Sequence, residues 1–228
     1  EVFSQSLTDE LNKCRKMQMD FLPSELPRIP EWEAEGFFFP ANRVSGDFYD
    51  LFELPGGYIG LAIGDVCDKG VGAAMFMALF RSLIRIFSGE AQLSRSPIHR
   101  SLQTVGGPEQ APSKRVSGQV DAIRAVALTN DYIAREHGDM SMFATLFFGV
   151  LNPKSGRLIY INGGHEPPMV LDAKGIKDRL TPTGPAVGVF LNAEFAYKER
   201  YLKSGDMLFG YTDGVVDARS ADGARFSK

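Results

Sequence analysis

Residues 59–87, IGLAIGDVCDKGVGAAMFMALFRSLIRIF, decide the fold class of this 228-residue chain. The segment 56–64 is β-rich and apolar, which predicts a buried strand. From Gly70 to Phe87 apolar side chains occur on almost every face, which predicts a long helix buried on all sides. The predicted strand therefore passes into a core helix through an acidic turn at Asp65.

The apolar periodicities of the rest of the chain predict further helices and strands. A three- and four-residue apolar spacing predicts helices over residues 1–22 and 119–135, and Pro23 ends the first of them. β-rich runs separated by turn residues predict further strands at 33–39, 46–52, 142–151, 157–162, 167–172, 176–181, 195–202 and 206–212. Strands followed by helices and then by hairpins indicate an α+β domain with mainly antiparallel sheets.

The domain organisation follows from composition and pattern. Residues 1–23 are interpreted as a linker or signalling helix, because an apolar stripe on a lone helix must pack on the domain or pair with another chain. Residues 24–228 form the main domain. Residues 88–118 are rich in Ser, Gly, Pro and Gln, which predicts a flexible surface insertion within it.

Charge and composition exclude several classes of function. The chain carries 25 basic and 28 acidic residues, for a net charge of −3. It has no basic stripe, so nucleic-acid binding is not expected. No stretch has the length of a membrane span, so no membrane segment is expected here. The two cysteines, Cys14 and Cys67, have unlike contexts, which indicates reduced thiols and a cytoplasmic protein.

Three aspartates share one local pattern. Asp47, Asp65 and Asp213 each lie beside a glycine and next to an apolar β-rich run, such as residues 59–63 or 207–212. A carboxylate at the mouth of a buried strand loses hydration unless a cation compensates it. Hard divalent cations prefer oxygen ligands, so the pattern indicates a Mg²⁺ or Mn²⁺ site.

Simpler interpretations of these residues stay open. Asp-Gly pairs are also ordinary turns. Arg43 and Lys69 are the nearby basic residues that could neutralise the aspartates. His165 is interpreted as a structural loop residue, and Cys67 as a small, nearly buried thiol rather than a nucleophile.

Five motifs resemble those of the bacterial stress-response and sporulation phosphatases, which belong to the metal-dependent type 2C protein phosphatase class. Residues 44–50, VSGDFYD, resemble VGGDFYD, and residues 64–74, GDVCDKGVGAA, resemble GDVSxxGxxAA. Residues 162–168, NGGHEPP, resemble NAGHxPP. Residues 184–188, GPAVG, resemble GxPLG, and residues 211–215, YTDGV, match YTDGV.

The resemblance implies a four-layer α-β-β-α sandwich, in which helices flank two antiparallel sheets, with two Mn²⁺ or Mg²⁺ ions at one edge. By the same resemblance Asp65 bridges both ions, the carbonyl of Val66 binds one ion, and Asp213 binds the other. Asp47 binds directly or through a water, and Asp50 is a weaker candidate for a supporting role. Ions about 3.5–4 Å apart activate a shared water for attack on phosphorus.

The implied substrate is a phosphoserine or phosphothreonine regulator of the anti-anti-sigma type. An upstream sensor or receiver domain and a homodimer through the N-terminal helix are also expected. Three features depart from the pattern: Cys67 replaces Ser, the 88–118 insertion is long, and the sequence reaches Lys228 without the D-D-x-T motif. We therefore expect further C-terminal strands. A catalytically weak module that binds a signalling partner, and a hydrolase of small phosphoesters, are the alternatives.

Overall fold

The computed structural model describes residues 2–40, 43–89, 118–220, 222–224 and 226. The helices are α1 (Val2–Phe21), α2 (Val71–Ser88), α3 (Gly118–Ile123), α4 (Ala125–Glu136) and α5 (Asp213–Val216), with a 3₁₀ helix at Gly138–Met140. The strands are β1 (Asp47–Leu54), β2 (Tyr58–Val66), β3 (Ala144–Asn152), β4 (Arg157–Gly163), β5 (Met169–Asp172), β6 (Gly175–Arg179), β7 (Lys198–Tyr201) and β8 (Met207–Phe209).

The strands form two antiparallel sheets. The first has the order β1-β2-β3-β4-β7 and the second the order β6-β5-β8. Short hairpins join β1 to β2, β3 to β4 and β5 to β6, as the turn residues predict, whereas helices α2 to α4 lie between β2 and β3 along the chain. The predicted α+β fold of two antiparallel sheets flanked by helices is confirmed.

Strand β3 shows how one sheet serves two cores. Its even-numbered residues Leu146 and Phe148 pack with helix residues such as Phe80 of α2. Its odd-numbered residue Phe147 packs with Val170 of the second sheet. The two-residue period of a strand puts alternate side chains on opposite faces, so β3 is buried on both. Each such side chain contributes about 1.5–3 kcal/mol of burial free energy.

Helix α2 packs on the first sheet with one face, so the prediction that it is buried all round is wrong. Met77 and Ile84 are fully buried, whereas Met75 is 67% exposed and Ile86 is 51% exposed. In the described ranges, α2 is the one helix long and apolar enough to cross a membrane, a property that buried core helices share. Its inner face is a core face of this domain.

Two predicted elements differ from the structure. Residues 33–39 form no strand. Gly36 lies on the ring of Tyr49, where an added Cβ would come within 2.4 Å of Cε2. The segment therefore crosses a side chain of β1 instead of aligning its backbone with that strand. The helix expected over 119–135 breaks at Arg124 into α3 and α4.

Helix α1 contacts the domain at its C-terminal end. Gln18 is buried and exchanges two hydrogen bonds with the main chain of Ser45. Leu22, just after the helix, belongs to the helix-side core. Of the predicted insertion, Ser88 ends α2 and Gly118 begins α3, while residues 90–117 lie outside the described part of the chain.

Candidate metal centre

The first hairpin places two aspartates side by side. Asp47 is the first residue of β1, and it pairs directly with Asp65 of β2 in the antiparallel register. Directly opposed residues have Cβ atoms about 4.5–5.5 Å apart, and like charges at such positions destabilise a sheet. This pair therefore needs a proton or a cation between its carboxylates.

The third aspartate arrives from the other sheet. After β8 the chain passes Gly210, which packs by Ile63 of β2, and Asp213 then begins helix α5. A Cβ built on Gly214 would lie 3.9 Å from Oδ2 of Asp47. One carboxylate oxygen from each of Asp47, Asp65 and Asp213 lies within 4.8 Å of the others. The structure thus brings together the three predicted aspartates, which we call the acidic cluster.

Two aspartates of the acidic cluster, Asp47 and Asp65, have raised pKa values. Burial raises the pKa of Asp65 to about 7, and the charges of Asp47 and Asp213 add to this effect. Burial also raises the pKa of Asp47, against hydrogen bonds with Asp65, Ser45 and Thr212 that lower it. In the described residues no Lys or Arg forms an ion pair with these carboxylates. A divalent cation would supply the missing positive charge.

The raised pKa of Asp65 predicts how the free energy of unfolding depends on pH in the absence of metal. The folded pKa of Asp65 lies above its ordinary value of 3.8. Hence the folded protein holds this proton more tightly than the unfolded chain does, and the associated stability is lost as pH rises from about 4 to about 7. In chelator, Asp65→Asn should therefore raise Tm relative to wild type, and by more at about pH 8 than at about pH 5.

Thermal unfolding in EDTA at both pH values measures this difference. Asp172→Asn is the matched control, because Asp172 lies on β5 and an Asn there can still accept the hydrogen bond from the Lys174 N–H. An Asp65→Asn effect on Tm that is the same at both pH values would contradict the prediction.

The main chain around Val66 is closely packed. The Val66 N–H donates to the Gly46 carbonyl at 3.3 Å, and a Cβ on Gly46 would lie 2.4 Å from the Val66 oxygen. Only glycine leaves room for that carbonyl next to Asp47. The role of the Val66 carbonyl as a metal ligand stays a prediction.

Asp50 and Arg43 lie near the motifs in sequence, but they form hydrogen bonds with helices and not with the acidic cluster. The Asp50 carboxylate is fully buried and accepts hydrogen bonds from Nε and Nη2 of Arg85, at 2.6 and 2.8 Å. Nε of Arg81 lies 3.0 Å from the same carboxylate. Arg43 donates to the Thr8 carbonyl and Asn12 of α1. Asp50 is therefore tied to α2, and Arg43 to α1.

His165 connects the elements that carry Asp65 and Asp213. A 2.8 Å hydrogen bond joins its Nδ1 to Oγ1 of Thr145, the residue opposite Asp65 in the sheet. Burial lowers the pKa of His165 to about 4, with the main chain of Tyr211 opposing this, so the ring is neutral at pH 7. The main-chain N–H of His165 donates to Oδ1 of the buried Asn162 at 2.7 Å. These contacts fit the predicted structural role.

The comparisons with known proteins agree with this geometry. Residues 55–228 match the family described as Stage II sporulation protein E (SpoIIE). The chain belongs to the SpoIIE family. It is 53% identical over 211 residues to Protein IcfG of Synechocystis sp., covering 92% of this chain and 33% of IcfG. It is 24% identical to Phosphoserine phosphatase RsbU of Bacillus subtilis, covering 96% of this chain and 57% of RsbU.

Among solved structures, the SiaA-PP2C domain of Pseudomonas aeruginosa superposes with a TM-score of 0.63 at 17% identity, covering 99% of this chain and 79% of that one. This similarity confirms the type 2C phosphatase fold. The prediction of a SpoIIE-type phosphatase domain is therefore confirmed. The chain spans between a third and somewhat over half of the curated relatives IcfG and RsbU.

Proposed function

We propose that this chain is a metal-dependent protein serine/threonine phosphatase domain, whose acidic cluster binds two Mn²⁺ or Mg²⁺ ions. One observation carries the proposal: carboxylates from β1, β2 and the start of α5 meet within 4.8 Å. Three oxygen donors without a basic partner in the described part of the chain suit a hard divalent cation. Family membership supplies the phosphatase context.

In this proposal the chain's residues supply the ligands and the negative charge that bind the metal ions. Asp65, which pairs with Asp47 in the sheet, would hold the ions together with Asp47, Asp213 and the Val66 carbonyl. When bound, the ions activate a water for in-line attack on phosphorus and neutralise the phosphoryl oxygens. Asp65 must lose its proton to bind metal, so metal affinity rises with pH up to about 7.

The substrate we propose is a serine- or threonine-phosphorylated regulator of the anti-anti-sigma type. The name of the relative RsbU, a phosphoserine phosphatase, supports a phosphoserine substrate. We also propose a cytoplasmic location, which the two free cysteines support. An upstream sensor or receiver domain, and a homodimer through α1, belong to the same proposal.

Phosphate release with and without metal tests this function. The wild-type chain with Mn²⁺ should release phosphate from a phosphoserine peptide and from para-nitrophenyl phosphate. EDTA should abolish both activities, and added Mn²⁺ should restore them, because the cluster has no other cation among its described neighbours.

Turnover that persists in EDTA would contradict the metal-dependent mechanism. Tight binding of a phosphoprotein without phosphate release would instead favour a catalytically weak binding module. Far higher activity on small phosphoesters than on phosphoproteins would contradict the proposed substrate class.

A further inference from the structure

The turn at residues 162–165 holds His165 by its main chain. Asn162 is fully buried, and its side chain binds both main-chain groups of His165: Oδ1 accepts from the N–H at 2.7 Å, and Nδ2 donates to the carbonyl at 3.0 Å. Nδ2 also donates to the Leu180 carbonyl at 2.9 Å. Gly164 has a φ of +71°, which favours glycine. The turn therefore fixes the direction in which the His165 side chain leaves the main chain.

The ring of His165 binds the residue that lies beside Asp65 in the sheet. Thr145 pairs with Asp65 in the antiparallel register, so their side chains share one face. That face lies between the two sheets, because Ile63 and Phe147, two residues away on each strand, pack in the core there. Nδ1 of His165 is 2.8 Å from Oγ1 of Thr145. This hydrogen bond therefore forms on the same face as the Asp65 side chain.

The ring also meets the segment that leads to Asp213. Nε2 is buried and completes no hydrogen bond with the described residues, while the main chain of Tyr211 raises the pKa of the ring. A main-chain group that raises the pKa of a histidine acts as an acceptor, so the Tyr211 carbonyl faces the ring. Because Nδ1 is paired with Thr145, this acceptor favours the tautomer with the proton on Nε2. The ring thus lies between β3 and the chain that enters α5.

A histidine can connect these two elements without adding charge. The neutral imidazole has one nitrogen that donates a hydrogen bond and one that accepts. The His165 ring is neutral at pH 7, because burial lowers its pKa to about 4. A positively charged side chain here would neutralise the acidic cluster and compete with a divalent cation.

We propose that His165 is a positioning residue, which sets the distance between Asp65 and Asp213. This inference rests on the proposed function. The hairpin register holds Asp47 beside Asp65, whereas Asp213 begins α5 and lies in neither sheet. The His165 ring supplies a connection from β3 to the chain before α5, outside the cluster itself. An ion that needs Asp213 therefore depends on His165, and an ion held by Asp47 and Asp65 does not.

The test is Mn²⁺ binding by the metal-free chain, measured by isothermal titration at about pH 8 and well below Tm. Thr145→Val keeps the branched shape and removes the hydroxyl that pairs with Nδ1. It should bind one ion as wild type does and the second ion about 10- to 100-fold more weakly, which is the usual effect of losing a residue that orients metal ligands. Thr145→Ser keeps the hydroxyl and should restore wild-type binding.

His165→Asn is the second variant. The asparagine oxygen can take the place of Nδ1 on Thr145, but the side chain is too short to extend toward Tyr211 as the imidazole does. This variant should weaken the second ion in the same way, and it decides the test if Thr145→Val does not fold.

Thr129→Val is the matched control. Thr129 lies on α4 and is fully buried, and its hydroxyl has no hydrogen-bond partner among the described residues. This variant loses a buried hydroxyl away from the cluster, so it should bind both ions as wild type does.

Two results would overturn the positioning inference while the proposed function stands. One is wild-type affinity for both ions in either folded variant, even with a lowered Tm, because a purely structural residue changes stability and not metal affinity. The other is an equal loss of affinity for both ions. A wild-type chain that binds no Mn²⁺ would instead contradict the proposed function itself.

Discussion

Asp65→Asn should lower metal-dependent phosphate release by at least about 10²–10³-fold. Asp65 pairs with Asp47, and its carboxylate lies within 4.8 Å of both other carboxylates of the acidic cluster, so its loss should remove a direct metal ligand. Changes in residues that only orient metal ligands typically cost 10–100-fold, and loss of a direct ligand should exceed that range. Initial rates with para-nitrophenyl phosphate at saturating Mn²⁺ measure the effect.

The controls for this variant separate chemistry from folding. The metal-free Asp65→Asn protein should be at least as stable as wild type near neutral pH, because it removes a buried, repelled carboxylate. Asp172→Asn should leave the rate unchanged. An Asp65→Asn protein with activity within about threefold of wild type would remove Asp65 from the metal centre.

Asp50→Ala should destabilise the fold by about 3 kcal/mol. The fully buried Asp50 carboxylate pairs with Arg85 and Arg81 of α2, and the guanidinium of Arg85 lies 4.7 Å above the ring of Phe52. Removing one member of a buried ion pair leaves uncompensated charge, which costs about 3–5 kcal/mol. The lower value applies because the Arg85 side chain is 40% exposed. Urea unfolding should show this decrease in the free energy of unfolding, and thermal unfolding should show a Tm lowered by about 6–12 °C.

Asp178→Ala is the control for an ion pair at the surface. Asp178 pairs with Arg200 where both side chains are over a third exposed, and such pairs contribute at most about 1 kcal/mol. We further expect Asp50→Asn, where it folds, to lose less activity than Asp213→Asn, because Asp50 binds arginines away from the cluster. Equal losses would show that Asp50 has a direct part in the site.

The register that opposes Asp47 and Asp65 could be derived from the sequence. A three-residue turn at 55–57 makes Leu54 and Tyr58 the first pair of the hairpin. Counting seven residues away from the turn, backward along β1 and forward along β2, then pairs Asp47 with Asp65. The apolar periods likewise predict α1, α2 and most strands, because burial on one face leaves a direct pattern in the sequence.

Other contacts depend on packing that local patterns do not contain. Asp213 reaches the cluster because the second sheet packs on the first, and no spacing along the chain encodes that approach. The arginines that bind Asp50 lie on a different element, and Arg85 is 35 residues away. The segment 33–39 has the composition of a strand, but its Gly36 packs against the ring of Tyr49. The local sequence does not encode that contact. Tertiary contacts therefore decided these outcomes.

Direct measurement of Mn²⁺ bound per chain tests most sharply whether the acidic cluster is a metal centre. Isothermal titration of the metal-free wild-type chain at about pH 8 should show two bound ions, with binding weaker at about pH 5, where Asp65 holds its proton. Asp65→Asn should lose this binding, and Asp172→Asn should keep it. Equal Mn²⁺ binding by wild type and Asp65→Asn would show that the three gathered carboxylates do not form the metal site.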